Sequence, residues 1–234
     1  MATPHATRHK RTRLADAVRR RYASAISVAM LALTLFSFSD NLLTDVGQPS
    51  NGDARFVVHG LFCLAWMAML ALQANLIRRG NIRLHRALGM AGIIVALGVT
   101  LSTLYVFVSV WKGWDAMPVW AKANRVLLPS FSLLALLAFL SRKRPDRHRR
   151  LMLVATFYML EPVLSRSFDP LMPWLDHLPA AEVDRTWWIF FILSWHATFL
   201  SLFAYDWCAA RRIHPVTIAG YAWFCLIWTM IWFV

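Results

Sequence analysis

The sequence predicts an all-α, polytopic membrane bundle of about seven transmembrane helices, with a cytoplasmic N-terminus and an outward C-terminus. Three observations predict it: a composition too apolar for water, seven apolar runs near membrane-spanning length, and basic residues confined to one side of those runs. Of the 234 residues, 59% are hydrophobic and 16% charged, whereas a soluble domain is about half apolar and about a quarter charged.

The runs fall at Tyr22–Ser39, Phe56–Ile77, Leu88–Val110, Ala121–Leu140, Leu151–Leu164, Trp187–Asp206 and Val216–Val234. Most approach the roughly 20 residues that cross a hydrocarbon core of about 30 Å. The fourth carries Asn124, Arg125 and Pro129, and the fifth is short unless it begins near His148. Both are counted, because dropping either breaks the alternation of charge. The basic residues 1–21 form a cytoplasmic tail, and residues 22–234 a single transmembrane domain. No A-x-A-like site follows the first run, so an uncleaved anchor is expected.

The formal charge of +13 invites a nucleic-acid reading, but the basic residues sit in short segments between apolar runs, which excludes a basic soluble face. Nineteen of the 25 Lys and Arg residues lie in the tail, at 78–86, at 142–150 and at 211–212. The other side holds Arg55, Lys112, Lys122, Arg125, Arg166 and Arg185 with the acids Asp40, Asp45, Asp53, Asp115, Asp169, Asp176, Glu182 and Asp184. The positive-inside rule makes the 19-residue side cytoplasmic, with the lipid bilayer as the chief partner. Trp111, Trp114, Trp120, Trp174, Trp187, Trp188 and Trp232 fall on the outer side, as an interfacial belt would.

Cys63, Cys208 and Cys225 lie in or beside spans, so no disulfide framework is expected. There is no P-loop, G-x-G-x-x-G, H-E-x-x-H or G-x-S-x-G motif, and no internal repeat. Chemistry, if any, rests on the few ionisable groups in or near spans: His59, His85, His148, Glu161, His196 and Asp206.

His59, Trp66 and Gln73 recur every seven residues and share one helix stripe about 21 Å long, expected to face the bundle interior. His85 is followed on its own face by Gly89, Gly92 and Ala96, a groove that suits a neighbouring helix or a flat ligand. His148 begins the fifth run at the same membrane side, so the two histidines can oppose each other. Their neighbours Arg86, Arg149 and Arg150 suit lipid phosphates or the propionates of a haem equally well. Glu161 precedes Pro162, which frees the carbonyl of Tyr158. A carboxylate beside a broken turn is a candidate proton or cation site, with Arg166 or His196 as partner. The sixth run carries Ser194, Thr198, Ser201 and Tyr205 on one stripe and His196 nearly opposite.

The segments VHGLFCLAW at 58–66, LHRALG at 84–89 and RHRRLMLVAT at 147–156 resemble those of a group of bacterial predicted membrane proteins without an assigned activity, over roughly residues 40–170. LHRALG is also distantly similar to the cytochrome b561 class, in which a histidine before a Gly-containing stretch is a haem ligand and four membrane histidines hold two haems. That likeness implies His59, His85, His148 and His196 as ligands of b-type haem, with His85 and His148 binding iron on the cytoplasmic side. The class has six helices with ligands on four consecutive ones; here the histidines fall on runs two, three, five and six.

Three other function classes stay open at this point. A proton-coupled small-molecule carrier would use Glu161, His59 and His196; an assembly protein would need no site. A zinc-dependent membrane hydrolase is disfavoured by the histidine-free seventh run.

Overall fold

The computed structural model describes residues 4–44, 47–175 and 177–233. Asp45 and Asp176, two of the outer acids, lie outside the described residues, as does Val234. The regular structure of the described residues is all helical, with nine α-helices: α1 (Pro4–Ser37), α2 (Ala54–Arg78), α3 (Ile82–Ser109), α4 (Val119–Leu140), α5 (Pro145–Phe157), α6 (Glu161–Arg166), α7 (Met172–Leu175), α8 (Ala180–Ala210) and α9 (Pro215–Trp232).

Five of these, α2, α3, α4, α8 and α9, are long and apolar enough to cross a membrane. The fifth apolar run is bent rather than one continuous helix. α5 and the segment Glu161–Leu175 meet at a 52° bend, because Pro162 cannot donate to the Tyr158 carbonyl and its ring crowds that turn. In α1 the apolar part, Arg21–Ser37, is shorter, and the helix extends back to Pro4.

Local sequence explains several ends. Asp53 caps α2 by accepting the Arg55 N–H at 2.9 Å, and Asn81 caps α3 through the Leu84 N–H at 3.1 Å. The Arg55 guanidinium holds the Asp53 carboxyl down at about 2. α8 stops at Arg211, which adopts a left-handed conformation with φ 54° and turns the chain into α9.

Helices α1, α2, α3, α4, α9 and α8 pack in that cyclic order, each against the next, around α5. The helix with the most polar first turn is therefore the central one. Leu151, Leu153, Val154, Ala155, Thr156 and Phe157 are all buried, and polar side chains of the surrounding helices satisfy this inner strand of chain. Trp66 donates to the Thr156 hydroxyl (3.1 Å), Trp195 to the Phe157 carbonyl (2.7 Å), and Tyr158 to the Gly220 carbonyl (2.7 Å).

Two glycines set helix spacing. A Cβ on Gly98 would lie 2.2 Å from the Phe62 ring, and one on Gly220 would lie 2.6 Å from Val154. α2 meets α3, and α5 meets α9, at these points. The outward faces carry exposed Leu97, Leu101, Leu133, Leu193 and Leu200, as a lipid-facing surface requires.

Contacts between distant segments sort the helix ends into two groups. Residues 24, 75, 85, 148, 205 and 214 gather at the end that carries the basic segments. Residues 41, 48, 124, 161 and 166 gather at the other.

Candidate functional site

His85 lies one turn inside α3 and His148 in the first turn of α5, and these two helices start at the same end of the bundle. Their rings stand 6.4 Å apart between centres, at 80° to one another. His148 Nδ1 is 2.8 Å from the carbonyl of Ala138 in the last turn of α4. A carbonyl only accepts, so Nδ1 carries the proton and a neutral His148 keeps its lone pair on Nε2. Such a bond also fixes the ring's orientation, as it does for metal-bound histidines.

His85 Nδ1 is buried with no protein partner among the described residues, and so is Oε1 of Gln73, whose backbone borders the His85 ring. Gln73 Nε2 reaches only the Met69 sulfur, at 3.7 Å. Unsatisfied buried polar atoms are rare in native proteins and ask for a ligand, ion or water. The groove beneath His85 is open in its first turn: a Cβ on Gly89 would meet nothing within 4 Å. One turn lower it closes against α2, where a Cβ on Gly92 would sit 3.8 Å from Met69.

The neighbouring arginines are not equivalent. Arg150, only 4% exposed, places its Nε and Nη2 2.7 and 2.6 Å from one oxygen of the fully buried Asp206, and its Nη1 donates to the Asp146 carbonyl. The other Asp206 oxygen accepts from the Thr217 hydroxyl (2.7 Å) and the His214 N–H (2.9 Å). Arg149 donates to the Tyr205 hydroxyl at 2.8 Å, and Tyr205 stacks on Tyr22 of α1. Two of the three arginines expected to meet lipid or a propionate are thus committed to the protein, because α5 is central. Arg86 alone stays exposed.

The other sequence candidates separate. His59 faces α3, with Nδ1 3.3 Å from the Ser102 hydroxyl and 3.4 Å from that of Thr103, and Cys63 close by. His196 pairs with the Tyr221 hydroxyl of α9 at 2.8 Å. Helix α1 packs between α2 and α8, so the structure does not bring these two histidines together. The stripe His59, Trp66 and Gln73 does turn inward, with Trp66 2% exposed. Both faces of α8 are used: Ser201 and Tyr205 meet Tyr22, while His196 meets α9.

At the other end Glu161, 5% exposed, accepts from Asn124 Nδ2 at 2.8 Å. Arg166 instead donates to Asn41 (2.8 Å) and Gln48 (3.4 Å), so the carboxylate's hydrogen-bond partner is Asn124 rather than Arg166 or His196. Among the described residues no group of three His, Cys, Asp or Glu side chains is placed to hold a metal ion. Sequence reasoning missed the Arg150–Asp206 pair, although an Arg and an Asp at the same end of two spans was the available signal.

No protein-family model matches the chain, and neither a curated protein nor a solved structure does.

Proposed function

We propose that the chain is a seven-span protein of the bacterial inner membrane, its basic end cytoplasmic, which holds one b-type haem between His85 and His148. The observation that carries this reading is the facing pair of imidazoles. An imidazole nitrogen stands about 2 Å from a first-row metal, so two rings sharing one ion lie roughly 6 Å apart between centres; these lie 6.4 Å apart. The fixed tautomer of His148, the unpartnered His85 Nδ1 and the open face at Gly89 support the same reading.

Bound there, haem would supply one-electron chemistry. The chain's own part would be to orient His148 through the Ala138 carbonyl and to offer Arg86 to an anionic propionate. The separation of His59 from His196 favours a single site at the basic end over a pair of sites spanning the membrane.

A second reading rests on Glu161. A carboxylate buried at a 52° helix break, with one amide for company, is the arrangement a proton-coupled carrier would use. The deciding experiment is a visible spectrum of the detergent-purified protein, expressed with haem supply, before and after dithionite. A Soret band with reduced α and β bands, lost in His85→Ala and His148→Ala, is the expected result. A colourless, folded protein overturns the haem reading and leaves the carrier and assembly readings.

A further inference from the structure

At the end of the bundle opposite the histidine pair, the α3–α4 corner joins cations to aromatic rings. Phe107 lies in the last turn of α3, Trp111 and Trp114 follow in the loop, and Lys122 and Arg125 belong to the first two turns of α4. The Arg125 guanidinium lies 4.1 Å from the Phe107 ring centre and 5.3 Å from that of Trp111, and the Lys122 ammonium lies 5.4 Å from that of Trp114. Aromatic faces fix the position of a cation but do not neutralise it.

Two donors in this corner are orphaned. Arg125 Nε and Trp114 Nε1 are both buried, and neither has an acceptor among the described residues. The ion pairs of the described residues do not include Arg125, so no described carboxylate lies within 4 Å of it. Asn124, its neighbour in sequence, is turned the other way, toward Glu161. Arg125 is six residues into α4, about 9 Å below its start, at a depth where an unpaired charge is costly. Two buried donors, one of them cationic, call for an anionic acceptor.

We propose that this corner binds a phosphate oxyanion, with the Arg125 fork as its principal contact. A planar guanidinium takes two phosphate oxygens at once, and the rings of Phe107 and Trp111 hold the fork in place. Indole rings belong at the headgroup level of a bilayer, where phosphate is the abundant oxyanion. The phosphate can come from an anionic phospholipid or from solution. The site shares no residue with the histidine pair.

The test is thermal unfolding of the full-length protein, delipidated in an uncharged detergent, titrated with dihexanoyl phosphatidylglycerol or with inorganic phosphate. Wild type is compared with Arg125→Gln and Arg125→Lys. A saturable rise in melting temperature of several degrees is expected in wild type, abolished in Arg125→Gln and reduced in Arg125→Lys, which keeps the charge but loses the fork. A rise with the lipid alone identifies a headgroup; a rise with both identifies an oxyanion site open to solution. If Arg125→Gln does not fold, Arg125→Lys carries the comparison. Equal responses in wild type and variants, or no response to either compound, overturn the proposal.

Discussion

Two polar clusters grow from the first turns of α5, and they are finished to different degrees. Around Arg150 every strong group has a partner: the guanidinium reaches Asp206 and the Asp146 carbonyl, and Asp206 takes Thr217 and the His214 backbone as well. Two residues earlier, His148 is anchored on one side only, and opposite it His85 Nδ1 and Gln73 Oε1 are buried without partners. A saturated cluster holds helices α5, α8 and α9 in register; an unsaturated one is where a ligand can act. The distinction follows from hydrogen-bonding capacity alone, since a satisfied buried ion pair has nothing left to offer and an orphaned atom has.

The comparison breaks most readily at the saturated cluster. Asp206→Ala leaves Arg150 buried and uncompensated, at a cost of about 3–5 kcal/mol, and should collapse the folded yield and the melting temperature in detergent. Removing both charges with Asp206→Leu and Arg150→Met should recover much of that loss, because the pair's attraction is partly offset by desolvation. If Asp206→Ala melted like wild type, the cluster would not be the lock described here.

Packing sets the next largest effect. Gly220→Val drives side-chain atoms into Val154, and the displacement also lengthens the bond from Tyr158 to the Gly220 carbonyl. Overpacking of this kind costs about 1–3 kcal/mol. Gly89→Val, on a helix face with open space, should cost far less on the same melting measurement. Equal losses would contradict the packing assigned to these two glycines.

What the sequence made legible follows from which forces act locally. The candidate spans α2, α3, α4, α8 and α9 are readable because each is a continuous apolar run. His85 and His148 share a membrane level for the same reason, and their meeting was expected. The central position of α5 was not readable, since its polar first turn resembles that of any interfacial helix and only its packing against α4, α8 and α9 buries it. For that reason Arg149 and Arg150 read as lipid-facing. Arg150's partner is 56 residues away, and no helical periodicity connects them. Gly98 and Gly220 carry no mark that distinguishes them from Gly60 or Gly89; only the approach of Phe62 and Val154 does.

A smaller effect separates the two clusters by pH. His214 begins α9, and its Nδ1 accepts the Val216 N–H at 3.1 Å, so that nitrogen must be unprotonated. Burial pushes the imidazole below its ordinary range, and Arg150 pushes it further; Asp206 and Asp146 oppose this, and Arg212 adds to it. The folded state therefore binds this proton less readily than the unfolded chain does. The capping contribution is complete above the unfolded value of about 6.5 and is lost as pH falls below it. The melting temperature should drop over that range by the equivalent of at most about 1 kcal/mol, the usual size of an N-cap bond. His214→Asn, which caps without titrating there, should flatten the profile; an unchanged slope would remove His214 from the account.

The smallest expected change in stability is at the unsaturated cluster, and it sharpens the comparison more than the large ones do. His85 is half-buried, and its Nδ1 makes no hydrogen bond that a substitution could break. His85→Ala removes an imidazole edge from beside His148 and one orphaned nitrogen from the interior. The lost contact and the relieved desolvation oppose each other, and the net effect should be within about 1 kcal/mol of zero. Gln73→Leu removes the other orphaned atom and should be neutral or slightly stabilising, because it exchanges an unsatisfied amide for an apolar group that α2 can carry. Both variants are to be purified without added haem and melted beside wild type. A loss approaching that of Asp206→Ala in either one would mean that the histidine cluster is a structural lock like its neighbour. Near-neutral melting, together with loss of the Soret band when the His85→Ala protein is expressed with haem supply, would separate a ligand site from a lock within two residues of the same helix.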